Sequence, residues 1–202
     1  MINITIPGQM TEGELRGIEA LARSAGPGAC IVETGSLFGL SSYVWSMSAP
    51  PGSTVYCIDP WVREPWVINF VEKKIPGCPE FSRAEFERYT AECKNIVPIQ
   101  GYSPKDCRGW NRPVDIFFDD ALHHNPHFRR NLRFWSAHMK PGGIMCGHDY
   151  CSEWPDVVSE VNNLASEIGA KVHTRQWLWW LEIPQTFTAW VGSGRKWWRR
   201  RR

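Results

Sequence analysis

The sequence predicts a doubly wound α/β domain, and three observations support this prediction. Its 202 residues are the length of one ordinary domain. Five short apolar runs with strand character alternate with helical stretches along the chain. The helical stretches are long enough to serve as crossover connections between parallel strands. We therefore expect one domain over residues 1–194, built on a mostly parallel sheet.

The first element is a helix over about residues 11–25, because Thr11 and Glu14 have the spacing of a capping box and apolar residues then recur at helical intervals. The alternation continues to Gly169. It predicts strands at 29–35, 54–59, 96–100, 114–119 and 143–149, and helices at 39–47, 82–94, 126–139 and 155–168.

Two segments depart from this alternation. Residues 61–80 are irregular and rich in proline, which predicts a lid-like loop or short helix above the sheet. After Gly169, two aromatic β-runs, 172–183 and 186–191, are separated only by Pro184 and Gln185. That gap is too short for a crossover helix, so we expect a C-terminal antiparallel β-hairpin at the sheet.

The formal charge of +2 is unevenly distributed. The tail, residues 195–202, holds six of the 23 basic residues, and the remaining 17 face 21 acidic residues, which leaves the body at −4. The basic, tryptophan-rich tail could contact nucleic acid phosphates and bases, or an anionic membrane surface. A disordered extension without a role in the chemistry is the preferred interpretation.

The chain lacks the features of membrane and secreted proteins. No apolar run approaches the ~18–20 residues that cross a bilayer, and the N-terminus does not resemble a signal peptide. The seven cysteines are scattered without a CxxC pair, which is typical of reduced thiols. We expect a cytoplasmic protein, and homo-oligomerisation stays open.

Acidic side chains recur where the predicted strands end. Glu33, Asp59, the Asp119–Asp120 pair and the His148–Asp149 pair all stand at carboxyl ends of strands. Any one of them could simply cap a helix, but together they predict a ligand crevice, since these strand ends meet at one edge of an open sheet.

The first turn, Glu33-x-Gly35-x-x-x-Gly39, differs from the GxGxxG pattern of dinucleotide-binding folds, and its acid would repel a pyrophosphate. A cationic or hydroxyl-rich nucleoside fits better. Asp59 is placed to accept hydrogen bonds from a ribose diol.

These motifs resemble the class I S-adenosylmethionine-dependent methyltransferases, which have a Rossmann-like sheet. The resemblance covers residues 29–150 and is closest to the macrocin-type sugar O-methyltransferases and cephalosporin hydroxylase-like proteins. It is carried by VETGSLFGLSS (32–42), CIDPW (57–61), DIFFDDALH (115–123), KPGG (140–143) and HDY (148–150).

The resemblance implies a transfer of methyl from S-adenosylmethionine to a hydroxyl of a small molecule such as a sugar or natural product. Gly35 and Gly39 would flank the methionine part of the cofactor, Asp59 would hold the ribose, and Ser103 would lie near the adenine. The full set implied for the cofactor is Glu33, Gly35, Ser36, Gly39, Asp59, Ser103 and Asp119.

The same resemblance implies a metal-assisted reaction centre. Asp120, His148 and Asp149 would bind a divalent metal, and His123 would act as the general base beside Asp120. Oxygen donors suit Mg²⁺, while an imidazole also admits Mn²⁺, Fe²⁺ or Zn²⁺. Ala121 and Leu122 depart from the family pattern, so the acceptor need not be a sugar.

Several alternatives stay open at this point. The chain could bind the cofactor without transferring methyl groups, since a fold does not determine a function. His123 and His127 have the i, i+4 spacing of a helical zinc site, although no HExxH glutamate accompanies them.

The aromatic residues also allow two interpretations. Trp177, Trp179 and Trp180 could stack on an acceptor, but packing within the hairpin is the favoured interpretation. Trp61 and Trp66 are the better candidates for acceptor contacts from the lid-like segment.

Overall fold

The computed structural model describes residues 5–186, and the strands within this range form one seven-stranded sheet. The spatial order is β3-β2-β1-β4-β5-β7-β6. The first five strands are parallel, and β7 pairs antiparallel with both β5 and β6. This confirms the doubly wound sheet with an antiparallel C-terminal hairpin. The strands are β1 (Cys30–Thr34), β2 (Thr54–Asp59), β3 (Ile96–Gln100), β4 (Val114–Asp119), β5 (Met139–Gly147), β6 (His173–Arg175) and β7 (Leu178–Glu182).

Helices cover both faces of the sheet. They are α1 (Glu12–Ser24), α2 (Leu40–Ser48), α3 (Pro65–Lys74), α4 (Arg83–Tyr89), α5 (His127–Ser136) and α6 (Pro155–Ile168), with a short 3-10 helix at Lys105–Cys107. One hydrophobic core joins α1, α2 and α4 to the sheet, and the other joins α5 and α6 to it. Neighbouring side chains of β4 alternate between these cores, so that Phe118 enters the first and Phe117 the second.

The capping box at the start of α1 is confirmed, because the Thr11 side chain accepts from the Glu14 N–H and the Glu14 carboxylate accepts from the Thr11 N–H. The predicted end of one helix is wrong. The helix expected over 82–94 ends at Tyr89, where the Thr90 hydroxyl donates to the Phe86 carbonyl. Within residues 61–80, the short helix that the sequence allowed forms as α3, with Pro65 in its first turn.

The hairpin forms within the first aromatic run instead of between the two runs. Gln176 adopts a left-handed conformation with φ of 55° and reverses the chain between β6 and β7. Residues 187–191 of the second run and the tail, residues 195–202, lie outside the described residues. None of the helices in residues 5–186 has the length and apolar composition that a membrane crossing requires.

The sheet order places the crevice between β1 and β4. The chain winds from β1 towards β3 on one side and from β4 towards β5 on the other, so these two neighbours form the topological switch point. Ligands of open α/β sheets bind beyond the carboxyl ends of the strands at such a point.

Candidate active site

The loops after β1 and β4 touch through their backbones. Asp120 N donates to Thr34 O at 2.9 Å, and Gly35 N donates to Ile58 O at 2.9 Å. Gly35 has a φ of +84°, and a Cβ added there would lie 2.1 Å from the Asp120 carbonyl oxygen. Only glycine allows this approach, so the glycine-rich loop and the carboxylate loop are held against each other.

Glu33 lies beneath the glycine-rich loop and is fully buried. Its carboxylate accepts from the Ser42 hydroxyl of α2. Burial raises the pKa of Glu33, although the hydroxyls of Ser41, Ser42 and Ser36 act in the opposite direction. Gly39 ends the loop in a left-handed conformation at the N-cap of α2.

Asp59 organises the loops after β1 and β2. Its two carboxylate oxygens accept from Leu37 N at 3.0 Å and from Trp61 N at 2.8 Å. Burial raises the pKa of Asp59 to about 6, although these backbone donors act in the opposite direction. Each oxygen keeps a second lone pair that can accept a ligand hydroxyl.

Trp61 is not available as a lid contact, which corrects the expectation from the sequence. Its ring is buried 4.8 Å from the Phe86 ring, and its indole N–H donates to Leu37 O at 2.9 Å. Trp66, on α3, is exposed. The left-handed backbone of Trp61, with φ of 42°, turns the indole into the core.

Asp119 and Ser103 are joined by a buried polar network that the sequence did not reveal. Asp119 accepts from Thr34 Oγ1 at 3.1 Å and from Asn131 Nδ2 at 2.8 Å. The Ser103 hydroxyl donates to Asn131 Oδ1 at 2.6 Å and accepts from Trp135 Nε1 at 2.9 Å. Asn131 is therefore the link between β4 and the loop after β3. In the described structure these contacts join the end of β4 to the loop after β3. Contact of Asp119 or Ser103 with the cofactor stays a prediction.

Asp120, His123 and Asp149 meet beyond β4 and β5. Each offers one donor atom, and these atoms lie within 4.8 Å of one another, as in the groups that hold metal ions. His123 Nδ1 is 3.3 Å from Asp149 Oδ2, and His123 Nε2 is 3.7 Å from Asp120 Oδ1. Asp149 reaches this position through a left-handed backbone conformation, with φ of 59°.

The electrostatics of this cluster differ from one side chain to the next. Burial lowers the pKa of His123 to about 4, against the opposing charge of Asp149. Burial, reinforced by the charge of Asp149, raises the pKa of Asp120 although His148 opposes it. Burial alone would raise the pKa of Asp149, but its contacts with His148 and His123 outweigh this and lower it. His123 is therefore uncharged at neutral pH.

His148 stands beside the cluster and pairs with Glu14 of α1, a residue that the sequence suggested only as a helix cap. His148 Nε2 lies 3.2 Å from Glu14 Oε1, and His148 Nδ1 lies 3.5 Å from Asp149 Oδ1 and 3.7 Å from Asp120 Oδ1. Burial would lower the pKa of His148, but the three carboxylates outweigh it and raise the pKa to about 11. Glu14 has a pKa of about 2 because contacts with His148 and Thr11 outweigh its burial.

The aromatic residues around the cluster divide into buried and exposed ones. Trp179 is fully buried and Trp180 stacks on His173 with ring centroids 5.2 Å apart, which confirms the packing interpretation for these two. That interpretation is wrong for Trp177, which is 44% exposed with its ring 6.2 Å from the His148 ring. Trp177 lies at the turn of the hairpin, between Arg175 and Leu178, which pair with each other at the end of the two strands.

The helical zinc site is also wrong. His123 precedes α5, which begins at His127, so the two imidazoles do not share a helix face. The cluster found among residues 5–186 contains His123 without His127.

The sequence also matches a family model. Residues 32–150, more than half of the chain, match the model described as a methyltransferase domain. The chain belongs to this methyltransferase family. It is a class I methyltransferase, and S-adenosylmethionine is its methyl donor.

Solved structures show the same fold at low sequence identity. The methyltransferase is similar to the O-methyltransferase NovP, with a TM-score of 0.67 and 15% identity over 85% of this chain and 80% of NovP. It is similar to TomG of Streptomyces achromogenes, an O-methyltransferase involved in tomaymycin synthesis and solved with S-adenosylmethionine, with a TM-score of 0.59 and 16% identity over 87% of this chain and 81% of TomG.

An rRNA methylase from Streptococcus thermophilus is another similar structure, with a TM-score of 0.63 and 12% identity over 88% of this chain and 100% of that chain. No curated protein matches the sequence significantly.

Replacing Asp59 by asparagine is expected to weaken S-adenosylmethionine binding about 10–100-fold, because hydrogen bonds to charged groups contribute ~1.5–3 kcal/mol. In the wild type, affinity should fall as the pH drops through about 6, since the protonated Asp59 carboxyl loses acceptor capacity. Calorimetric titrations between pH 5 and pH 8 measure both effects.

The matched control is Asp115→Asn. Asp115 also accepts a backbone N–H, from Cys30 at 2.8 Å, but it lies at the opposite end of the sheet. The Asp115→Asn variant should leave the affinity for S-adenosylmethionine unchanged. Equal affinities for the wild type and Asp59→Asn would contradict the assignment of Asp59.

Proposed function

We propose that this methyltransferase transfers the methyl group to a hydroxyl of a small molecule, with assistance from a divalent cation. The observation that carries the proposal is the position of Asp120, His123 and Asp149 directly beside the glycine-rich loop. Donor and acceptor sites therefore share one edge of the sheet, as an in-line displacement requires.

The residues present fit a divalent cation. Two carboxylates, Asp120 and Asp149, face the same space as the imidazoles of His123 and His148. The group whose donor atoms lie closest together contains His123 and not His148. We assign the cation to Asp120, His148 and Asp149, because His148 Nδ1 also faces both carboxylates and His123 is assigned to the acceptor proton. When bound, the cation lowers the pKa of a hydroxyl that it contacts, and S-adenosylmethionine supplies the electrophilic methyl group.

His123 is assigned as the general base that accepts the hydroxyl proton. Its imidazole is neutral at neutral pH, and its buried Nε2 has no hydrogen-bond partner among the described residues. The carboxylate of Asp149, 3.3 Å from Nδ1, would stabilise the imidazolium that forms. Trp154 confines the ring from the side, with the ring centroids 4.9 Å apart.

The rim of the cluster favours an acceptor with an apolar face. Leu122 and Trp177 are 43% and 44% exposed, and both belong to segments that flank the carboxylates. The similarity to NovP and TomG supports hydroxyl methylation. The structurally similar rRNA methylase would suggest an RNA substrate. Without the tail, however, the protein has a net charge of −4, which is unfavourable for binding the phosphates of RNA.

We expect Trp177→Ala to raise the KM for the acceptor about tenfold, because stacking on an aromatic ring contributes ~1–1.5 kcal/mol. The kcat and the affinity for S-adenosylmethionine should change little. Initial rates over a range of acceptor concentrations measure the effect. Met47→Ala is the control, since Met47 is also a large exposed apolar side chain but lies near the C-terminal end of α2, away from the strand ends that form the crevice. An unchanged KM in Trp177→Ala would remove Trp177 from the acceptor site.

The decisive experiment combines cofactor binding with product analysis. S-adenosylmethionine should bind in calorimetry, and incubation with a panel of phenols, sugars and natural products should yield one product heavier by about 14 Da, the mass of a methyl group replacing hydrogen after in-line transfer. Excess chelator should abolish turnover. Full turnover in chelator would reject the cation, and methylation at nitrogen or carbon would reject hydroxyl transfer.

A further inference from the structure

The carboxylates of the proposed metal site face two imidazoles that could each supply a nitrogen ligand. His123 and His148 both approach Asp120 at 3.7 Å, and they approach Asp149 at 3.3 Å and 3.5 Å. Distance to the carboxylates alone does not distinguish them. The two histidines differ in the contacts of their other ring nitrogen, Nε2.

The outer nitrogen of His148 has an anionic partner. Nε2 lies 3.2 Å from Glu14 Oε1, and the two side chains are buried at 5% and 3% exposure. The contact is an ion pair without the alignment of a full hydrogen bond. Histidines that bind metals almost always direct their second nitrogen at a carboxylate or carbonyl, which orients the ring and makes it a better ligand.

Glu14 is itself held in place from two directions. It accepts from Thr11 N at 2.8 Å within α1, and from Trp177 N at 3.1 Å at the turn of the hairpin. A helix cap needs neither the burial nor the contact with His148. Three distant parts of the chain thus meet at one carboxylate that faces the reaction centre.

The outer nitrogen of His123 has no equivalent partner. Neither outer nitrogen makes a hydrogen bond within residues 5–186. His123 Nε2, however, lies 3.7 Å from its carboxylate contact, which is Asp120 of the proposed metal site itself, whereas His148 Nε2 lies 3.2 Å from Glu14 outside that site. An imidazole nitrogen without a partner is suited to accept a proton.

We propose that Glu14 is a positioning residue that directs His148 to the metal as the nitrogen ligand and leaves His123 to the acceptor proton. This inference rests on the proposed function, because it concerns the cation of the same site. It makes α1, which lies outside the matched residues 32–150, a part of the reaction centre.

The test measures Mn²⁺ affinity by calorimetry in the full-length protein without acceptor. Mn²⁺ is the probe because carboxylates and imidazoles bind it, while thiols prefer softer metals. Glu14→Gln is expected to weaken Mn²⁺ binding about 10–100-fold, as the loss of a residue that orients a metal ligand does. His148→Ala should weaken it at least as much, because it removes the ligand itself. Adding Glu14→Gln to His148→Ala should cause no further loss. His123→Ala should stay within about threefold of the wild type.

Two controls separate positioning from helix stability. Thr11→Ala removes the cap and should lower the Tm without changing Mn²⁺ affinity, since Glu14 keeps its contact with His148. Glu12→Gln neutralises an exposed carboxylate in the same helical turn, and it should change neither the Tm nor the Mn²⁺ affinity.

Each outcome is informative. Unchanged Mn²⁺ affinity in Glu14→Gln, or a loss in His123→Ala that exceeds the loss in His148→Ala, would overturn the inference. If Glu14→Gln does not fold, the comparison of His148→Ala with His123→Ala decides. No Mn²⁺ binding by the wild type would instead reject the cation of the proposed function, and the two failures are therefore distinguishable.

Discussion

Gly35→Ala is expected to abolish S-adenosylmethionine binding and to lower the free energy of unfolding by more than ~4 kcal/mol, a loss that only specific structural damage causes. The new Cβ would lie 2.1 Å from the carbonyl oxygen and 2.5 Å from the carbonyl carbon of Asp120. These are backbone atoms, so no side-chain rotation relieves the overlap. Urea unfolding and calorimetry with the cofactor measure the two effects.

Gly28→Ala is the matched control. Gly28 has nearly the same left-handed backbone, with φ of +74°, but a Cβ there meets no atom within 4 Å. Gly28→Ala should therefore lower the free energy of unfolding only by the strain of an alanine in a left-handed conformation, ~1–2 kcal/mol. The affinity for the cofactor should be unchanged. If the two variants were equally stable, the contact between the loops would not matter.

His123→Ala is expected to lower kcat by ~10²–10⁴-fold, the range that a general base contributes. The affinity for S-adenosylmethionine should remain within about threefold of the wild type, because His123 is assigned to the acceptor side of the crevice. Single-turnover rates at saturating cofactor and cation measure the chemical step directly.

The neighbouring His124 provides the control. Its side chain is exposed and its ring also contacts Trp154, so His124→Ala removes a comparable ring contact but leaves the proposed base in place. It should keep most of the activity. A His123→Ala enzyme with nearly full kcat would remove His123 from the proton transfer, whatever its cation affinity.

The fold was largely predictable from local patterns. Strand-ending acids such as Glu33 and Asp59 identified the crevice, because the carboxyl ends of parallel strands must meet. The hairpin turn was misplaced because Gln176 is not a residue type that signals a left-handed turn.

Contacts between distant segments could not be predicted in the same way. Glu14 reaches His148 and Trp177, and Asn131 reaches Thr34 and Ser103, only after the chain has folded. One signal was available for Glu14, since it occupies the same buried helix face as Leu15 and Ile18. A capping residue on a buried face is a candidate for a second role.

The backbone contact between Gly35 and Asp120 also bears on how the acceptor preference of this enzyme can change. The separation of the glycine-rich loop from the carboxylate loop is set by main-chain atoms, which side-chain substitutions elsewhere do not replace. In the proposed function Leu122 and Trp177 border the acceptor, and we expect that they can be varied to accommodate new acceptors while the alignment of donor and acceptor is retained. Libraries at these two positions should yield altered specificity far more often than libraries within residues 33–39.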